Sequence, residues 1–243
     1  MSKEAIPAAT LIVVRDRAGK APELLIVERA GGMAFAAGAL VFPGGRIDAR
    51  DRDLGGADSA RIAAIRETIE ETAIPVAIAP LPDSDQAAEM QAALVAERPF
   101  ADMLRDHGLT LDLRALTPFA RWVPKFHAVR RFDTMFYAAR APAGPWQPQV
   151  IEGECSGAYW LSAKAVLDME KSGDARLIFP TRRTLERLAQ HDSFDAICAD
   201  ASAHPIEPVT PWLEHRGDQQ FITIPDHLGY PVTAELFEGQ WRG

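Results

Sequence analysis

Runs of apolar and β-branched residues predict β-strands before a single long helix. Residues 8–15 predict a first strand, residues 16–20 a turn, and residues 23–29 a returning strand, which together make a β-hairpin. Two short strands are predicted at residues 39–42 and 76–78. The helix between them is therefore framed by strands on both sides.

The helix is predicted at residues 59–74, where no Gly or Pro interrupts the pattern. Asp58 or Ser59 can serve as its N-cap. Its apolar stripe consists of Ala60, Ala63, Ala64, Ile65 and Ile69.

Residues 83–108 have the pattern of a helical insert. Ala87, Met90 and Leu94 recur at helical spacing, and Pro99 can start a second helix. Two roles are expected equally for this insert: it either supports the fold or acts as a lid over the site.

The sequence of the second half of the chain predicts four more strands and two helices. Residues 202–243 form a Pro-rich C-terminal extension with one strand at residues 221–224. The other predicted elements are strands at 116–124, 131–139 and 158–161, a helix from the cap Ser162 through residue 169, and a helix at 179–188 capped by Thr181.

Strands on both sides of a central helix, with later helices for the other face, predict an α/β (α+β) fold. The expected architecture is an α/β/α sandwich around a mixed β-sheet. No linker or repeat divides the sequence, so residues 1–243 are predicted to form one domain.

Composition and charge exclude several classes of function. The 243 residues are 47% hydrophobic, and their net charge of −8 argues against nonspecific binding of nucleic acid. Cys155 and Cys198 are too few for a disulfide framework and indicate a reducing compartment. No signal-peptide pattern is present, and the longest apolar run, residues 30–42, is too short to span a bilayer. A cytoplasmic protein that binds neither nucleic acid nor membrane is predicted, with a homodimer left open.

Three carboxylates crowd one face of the predicted helix. Glu67, Glu70 and Glu71 stand at positions i, i+3 and i+4, and like charges at this spacing repel one another. Arg66 is the one cation beside them, and we expect it to point off that face. A divalent cation would replace the repulsion by coordination, because Mg²⁺ and Mn²⁺ prefer oxygen ligands. The alternative is an ordinary solvated helix face.

This stretch resembles the Nudix box, G-x5-E-x7-R-E-U-x-E-E-x-G-U, where U is aliphatic. Arg66, Glu67, Glu70 and Glu71 match the second half of the pattern, and Gly45 resembles its first glycine. Asp58 stands where the first glutamate belongs when the pattern is counted back from Arg66.

The resemblance has three departures. Thr68 replaces an aliphatic residue and Ala73 replaces the late glycine, whereas Ile74 fits the last position. Arg66 follows Gly45 by 21 positions (66 − 45), seven more than the pattern, so the loop between them carries an insertion. A loop of this kind can lengthen at little cost in free energy.

Other segments are similar to the branch that includes peroxisomal acyl-CoA diphosphatases. These segments are residues 41–48, 121–124, 130–137 and 179–181. A coenzyme A motif of that branch is matched by Leu25, Arg29, Ala30, Gly38 and residues 42–45. Met33 stands in place of its second arginine, and one extra residue precedes Gly38.

The resemblance implies a metal-dependent hydrolase of a phosphoanhydride. Glu67, Glu70 and Glu71 would hold one to three Mg²⁺ or Mn²⁺ ions, with a backbone carbonyl near Gly44. Arg66 would orient the glutamates by pairing with an acid, either Asp48 or Asp58.

A glutamate from a later loop can complete such a site. Glu154 precedes the strand at 158–161 and would ligate a metal or act as the base; the alternative is a solvated acid. Glu152 lies two residues earlier.

Cations outside the box would bind the substrate. The candidates are Arg29, Arg130 and Arg131, with Gly44 and Gly45 beside the phosphates; Arg131 is favoured because it begins a strand expected to border the box helix. Arg182 and Arg183 could bind an anion at a helix start, although a solvated face is the favoured interpretation.

The predicted substrate is a nucleoside diphosphate linked to another group. Coenzyme A or acyl-CoA leads, which would yield 3′,5′-ADP and (acyl-)phosphopantetheine; ADP-ribose, dinucleotides and nucleotide sugars are the alternatives. A second class of function is a nucleotide-binding sensor without turnover. Three crowded box glutamates favour catalysis over binding alone.

Overall fold

The structure is a computed structural model that describes residues 5–31, 38–124, 131–151, 153 and 155–237. The strands in chain order are β1 (Ile6–Arg17), β2 (Lys20–Arg29), β3 (Ala39–Val41), β4 (Gly44–Arg46), β5 (Ile78–Ala79), β6 (Thr110–Leu111), β7 (Thr117–Trp122), β8 (Phe132–Arg140), β9 (Cys155–Ser162), β10 (Arg176–Leu177), β11 (Pro208–Val209), β12 (Trp212–Arg216), β13 (Gln219–Thr223) and β14 (Ala234–Leu236). The helices are α1 (Ala49–Gly55), α2 (Ser59–Thr72), α3 (Ser84–Val95), α4 (Phe100–Asp106), α5 (Ala163–Ser172), α6 (Phe179–Leu188) and α7 (Phe194–Ala203).

A mixed sheet forms the centre of the fold. Within the described residues it has nine strands, in the order β10-β3-β2-β1-β8-β7-β11, with β4 paired to β1 and β9 paired to β2. The hairpin β1–β2 is antiparallel, whereas β1 and β8 are parallel. This mixture confirms the predicted mixed sheet.

The sheet is buried on both faces, which explains the continuous apolar run of β1. Leu11 and Val13 pack in the cluster that contains α2, α3 and α4. Ile12 and Val14 point the other way, into the cluster formed with α5, α6 and α7. Side chains alternate between the faces of a strand, so a strand that is covered on both sides is apolar throughout. Helices cover both faces, and the α/β/α sandwich is confirmed.

The predicted insert contains α3 and α4, a pair of helices as expected. Asp83 caps α3 in a capping box with Gln86, and Pro99 is the N-cap of α4. The buried Gln91 of α3 donates from Nε2 to the carbonyls of Glu70 (3.2 Å) and Gln149 (2.8 Å). Gln91 therefore connects α3 to the box helix α2 and to the segment before β9.

Several predicted boundaries differ from the structure. The loop after Gly45 contains α1 and a short 3-10 helix at Gly56–Asp58. Thr181 lies inside α6, whose N-cap is Ile178, because Pro180 takes an early helical position that needs no N–H. Ser193 caps α7, which the prediction missed.

The C-terminal extension contains more strand than predicted. It forms a separate antiparallel sheet, β12–β13–β14, where only one strand was expected. Among the described residues, no helix combines the length and the apolar character needed to cross a bilayer.

Candidate active site

The site is built around the glycines of β4, which β1 holds in place. Gly45 pairs with Ala9 and Gly44 with Thr10, while the N–H of Leu11 donates to the carbonyl of Pro43 at 2.9 Å. These bonds fix the strand that faces the acidic side of α2.

Gly45 and Glu67 approach each other so closely that a larger residue at position 45 would displace the carboxylate of Glu67. A Cβ on Gly45 would lie 2.4 Å from the carboxyl carbon of Glu67. The neighbouring N–H of Gly44 donates to Oε2 of Glu71 at 3.0 Å. The glycine pair thus brings backbone into contact with two of the three box carboxylates.

Arg66 is the centre of the charge network. Its Nε and Nη2 donate to the two carboxylate oxygens of Asp51, both at 2.9 Å, and Nη2 also donates to the carbonyl of Arg46 at 3.0 Å. Its Nη1 lies 3.0 Å from Glu67 and 3.1 Å from Glu70. The expectation that Arg66 points off the acidic face is wrong, since it contacts two of the glutamates directly.

The carboxylates keep Arg66 charged although it is buried. Burial alone would lower the pKa of its guanidinium, but the hydrogen bonds with Asp51 and the charges of Glu67, Asp51 and Glu70 outweigh burial and raise the pKa above its usual value. Asp51 is 2% exposed. A bidentate Arg–carboxylate pair at such a depth fixes the orientation of the guanidinium.

Arg66 forms its bidentate ion pair with Asp51 and not with Asp58. Asp58 pairs instead with Arg61 at 2.8 Å, and Asp48 comes no nearer to Arg66 than 3.9 Å. Asp51 is separated from Gly45 by five residues, the spacing of the first half of the box pattern. The seven extra residues therefore fall after Asp51, and counting forward from Gly45 would have identified it.

The unusual residues of the box have structural explanations. The hydroxyl of the buried Thr68 donates to the carbonyl of Ala64 at 2.7 Å, which satisfies its polar group within the helix. Ala73 ends α2 in the left-handed conformation, with φ of 56°. A glycine adopts this conformation with no steric cost, which is why the pattern has one there.

A cavity of about 810 Å³ contains the box acids. The predicted site residues that line it are Arg29, Gly44, Gly45, Arg66, Glu67, Glu70 and Glu71. The described lining does not include Arg131, whose carbonyl accepts from the N–H of Ile6 at 2.7 Å. Arg130, Glu152 and Glu154 lie outside the described residues, as does Met33 of the coenzyme A motif.

The cavity is also lined by residues for which the sequence predicted no functional role. Trp122, Phe132 and Phe136 come from β7 and β8, and Ile178 and Pro180 from the start of α6. In the sequence, parts of these segments resemble one enzyme branch, and that resemblance gives their aromatic residues no role. Their position at the cavity follows from the parallel pairing of β8 with β1, which the local pattern cannot show.

Arg182 and Arg183 form ion pairs with protein carboxylates. Arg182 donates to Glu170 and Glu235, and Arg183 lies 2.8 Å from Glu235 and 3.0 Å from Glu186. Arg183 is also buried, so the expectation of a solvated face is wrong. The two arginines join α5 and α6 to β14.

The donor chemistry of the cavity fits a hard divalent cation. Three carboxylates from one helix line it, together with the backbone of Gly44 and Gly45. Among the described residues, no three His, Cys, Asp or Glu side chains are arranged as a preformed metal site. Glu67 and Glu70 contact Arg66, and Glu71 accepts from the N–H of Gly44. A carboxylate has two oxygens, so each of these side chains could bind a cation through one oxygen while the other keeps the contact described above.

Comparisons with known proteins agree with this geometry. A family model described as the NUDIX domain matches residues 5–94, from the start of β1 to the end of α3. The crystal structure of a NUDIX hydrolase from Alicyclobacillus acidocaldarius is similar, with 28% sequence identity and a TM-score of 0.69; the match covers 82% of this chain and 97% of that one.

More distant structures are also similar. One is the NUDIX domain of NrtR from Shewanella oneidensis, in complex with ADP-ribose. It has 16% sequence identity and a TM-score of 0.45, and the match covers 77% of this chain and 88% of that one. Another is an Ap4A hydrolase from C. elegans. It has 16% sequence identity and a TM-score of 0.41, and the match covers 82% of this chain and 96% of that one.

Proposed function

We propose that this chain, a Nudix phosphoanhydride hydrolase, cleaves the diphosphate of coenzyme A or an acyl-CoA. The products would be 3′,5′-ADP and phosphopantetheine or its acyl form. The observation that supports this proposal most strongly is that the three box carboxylates and Arg29 line the same cavity. The carboxylates could hold the cation that hydrolysis of a diphosphate requires, and the guanidinium of Arg29 could pair with a further phosphate of the substrate.

Glu67, Glu70 and Glu71 would hold the divalent cation, Mg²⁺ or Mn²⁺, with the carbonyl of Gly44. When bound, such a cation neutralises phosphate oxygens and lowers the pKa of water. Contacts within the protein would orient these ligands. The N–H of Gly44 donates to Glu71 and so orients its carboxylate. Arg66, which donates to Asp51, contacts Glu67 and Glu70 and orients both. Arg66 and Asp51 are positioning residues in this account.

Hydrolysis also requires a base that takes a proton from the attacking water. Glu154 is proposed for this role, or as a further metal ligand, because it precedes β9 in the sequence and β9 pairs with β2, which ends at Arg29 in the cavity. The box glutamates are the other candidates for the base.

Recognition of coenzyme A requires a cation for its 3′-phosphate, which ADP-ribose lacks. Arg29 is the leading candidate because it lines the cavity, ahead of Arg131 and Arg130. A charge-assisted contact of this kind contributes roughly 1.5–3 kcal/mol, or about ten- to a hundredfold in kcat/KM.

The test compares coenzyme A with its 3′-dephospho form. Wild-type protein should prefer coenzyme A by at least about tenfold, and Arg29→Ala should remove that preference while retaining its rate on the dephospho form. Arg130→Ala and Arg131→Ala are measured beside it. Arg105→Ala, at a position on α4 that is 69% exposed, is the matched control and should behave as wild type.

Equal hydrolysis of both forms by the wild type would remove the support for coenzyme A. The remaining substrates would then be ADP-ribose, dinucleotides and nucleotide sugars, which a panel with Mg²⁺ and Mn²⁺ distinguishes by the masses of the products. Binding of a nucleotide without release of phosphate in a phosphatase-coupled assay would support the sensor.

A further inference from the structure

Two exposed arginines in the first half of the box line the active-site cavity. Arg46 and Arg50 lie between Gly45 and Asp51, at positions that the box pattern leaves unspecified. Neither forms an ion pair with a carboxylate of the described residues. Arg66, in the same cavity, contacts three acids. Arg46 and Arg50 therefore differ from Arg66 in having no acid of the protein to neutralise them.

The backbone of Arg46 is held beside the box acids. Arg46 ends β4, where it pairs with Ala8 of β1, and its carbonyl accepts from Nη2 of Arg66 at 3.0 Å. The residue before it is Gly45, at which a Cβ would lie 2.4 Å from the carboxyl carbon of Glu67. The side chain of Arg46 thus begins next to the carboxylates that would hold the divalent cation.

Arg50 is held by the junction between α3 and α4. Its Nη1 donates to the carbonyl of Glu97 at 2.8 Å. Glu97 follows α3 with φ of 59°, and the N–H groups of Glu97 and Arg98 donate to the carbonyls of Leu94 (2.8 Å) and Ala93 (2.9 Å). These two bonds are those of a Schellman motif, which gives the carbonyl that accepts from Arg50 a defined position.

The hydrogen bond with Glu97 leaves the charge of Arg50 without compensation. A guanidinium has five N–H groups, and the neutral carbonyl accepts from one of them. Arg98 lines the cavity as well, but it forms an ion pair with Asp106. An arginine without such a pair can bind phosphate oxygens through two parallel hydrogen bonds.

The alternative is that both arginines are simply solvated, since exposed arginines need no partner. Arg52 provides an example of this case on the same helix as Arg50. It is exposed and has no ion pair with a described carboxylate, but it does not belong to the described lining of the cavity. The shared cavity with the box acids distinguishes Arg46 and Arg50 from Arg52.

We infer that Arg46 and Arg50 bind the diphosphate of the substrate, through phosphate oxygens that the divalent cation leaves uncompensated. The box carboxylates and the diphosphate are all negative, so one divalent cation and Arg66 leave negative charge in excess. Arg46 and Arg50 offset this excess. Every candidate substrate contains a phosphoanhydride, so the inference goes beyond the proposed function and does not depend on coenzyme A.

Calorimetry with Mg²⁺ and α,β-methylene-ADP tests this subsite, because the analogue carries two linked phosphoryl groups that water does not cleave. Arg50→Gln keeps an N–H donor for the carbonyl of Glu97 and removes the charge. Arg46→Gln and Arg50→Gln should each weaken binding about tenfold at low ionic strength. In about 0.5 M NaCl the loss should shrink to less than about threefold, since salt screens exposed charges.

Kinetics give a second measurement of the same contact. An arginine that binds the diphosphate in the ground state and in the transition state alike should affect KM and not kcat. With a substrate that the wild type cleaves, both variants should raise KM about tenfold and keep kcat within about twofold.

Arg52→Gln is the matched control, because it makes the same change of charge on the same helix outside the described lining. This variant should bind the analogue as the wild type does. An equal loss of affinity in Arg52→Gln would reveal only an effect of net charge and would overturn the inference.

The remaining outcomes separate this inference from the proposed function. Unchanged affinity in both Arg46→Gln and Arg50→Gln would overturn the inference, as would absence of binding by the wild type, and hydrolysis of coenzyme A would still support the proposed function. Weaker binding by both variants, together with intact coenzyme A after incubation with the wild type, would support the subsite and contradict the proposed substrate.

Discussion

Single residues determine how the box carboxylates are held, and Arg66 is the first of them. It is buried and bound to Asp51 by two hydrogen bonds, with Glu67 and Glu70 on its remaining side. Removal of one member of a buried ion pair leaves the other without its compensating charge, which is far more costly than loss of a surface pair.

Asp51→Ala should therefore destabilise the protein by about 3 kcal/mol, the lower end of the range for buried pairs, since Glu67 and Glu70 remain. Asp58→Ala, which breaks the more exposed pair with Arg61, should cost less than about 1 kcal/mol. Urea unfolding of both variants measures the difference. Equal losses would mean that Asp51 is not the acid on which Arg66 depends.

Gly45 limits the position of Glu67. In Gly45→Ala the new Cβ would meet the end of the Glu67 side chain, which can rotate away, so we expect stability to change by less than about 1 kcal/mol. The displaced carboxylate should lower kcat/KM by about a hundredfold. Gly31→Ala is the control, because a Cβ at that position would have no neighbour within 4 Å among the described residues, and the substitution should leave kinetics unchanged. Loss of stability with retained activity would contradict this account.

At the level of elements, the box helix α2 ends at an alanine whose backbone has the left-handed conformation, which alanine adopts at a cost. Ala73 has φ of 56°, a region that costs an alanine about 1–2 kcal/mol but costs glycine nothing. Ala73→Gly should stabilise the protein by about 0.5–1 kcal/mol after the greater entropy of glycine in the unfolded chain is deducted. Ala165→Gly in α5 should have the opposite sign, with a loss of about 1 kcal/mol. Thermal unfolding measures both, and a loss in Ala73→Gly would refute the capping argument.

Elements with a strong apolar period were predictable from the sequence. The hairpin β1–β2 and the helix α2 were predicted close to their observed bounds, because both bury a regular set of side chains. Helix α1 was not, since most of its residues are polar and its place depends on the ion pair of Asp51 with Arg66. Helix α7 had a usable signal in its cap Ser193, and the turn at Gly217 indicated the hairpin β12–β13.

The candidate site was predictable where its residues are close in sequence or match a motif, as Arg29, Gly44 and Gly45 do. Glu67, Glu70 and Glu71 share a helix face, so their spacing alone placed them together. Asp51 and Arg66 are 15 positions apart (66 − 51) across an insertion, so counting back from Arg66 leads to Asp58 and only counting forward from Gly45 leads to Asp51. The approach of Trp122 and Phe132 to the same cavity depends on sheet order, which local sequence does not specify.

On the scale of the whole molecule, the cavity draws on elements from both faces of the sheet. Leu94 belongs to the cluster on one face and Trp122 to the cluster on the other, and both line the cavity. Ligands that bind there should therefore stabilise the entire fold. We propose that residues 1–243 unfold as one unit, because Arg183 joins the C-terminal extension to α6 through Val232 and Glu235.

A divalent cation should raise the melting temperature, because it binds the folded acidic face and not the unfolded chain. At a hundredfold excess over Kd the expected stabilisation is about 2.7 kcal/mol. Scanning calorimetry with and without Mg²⁺ or Mn²⁺ measures the shift, and Glu71→Gln should reduce it. A melting temperature that moves with neither cation in the wild type would contradict the metal site.

The chemistry at Glu71 is the central claim. Its carboxylate accepts from the N–H of Gly44, and the side-chain carbonyl of a glutamine can accept the same bond. Glu71→Gln should therefore fold normally while it removes a charge that the account gives to the cation, and its turnover should fall by about a hundredfold or more.

The most direct test is to incubate coenzyme A and Mg²⁺ with the wild type and with Glu71→Gln, and to identify the products by mass spectrometry. We predict 3′,5′-ADP and phosphopantetheine from the wild type and almost none of either product from the variant. Intact coenzyme A after incubation with the wild type would contradict the proposed substrate. Equal product from both proteins would contradict the role of the box carboxylates.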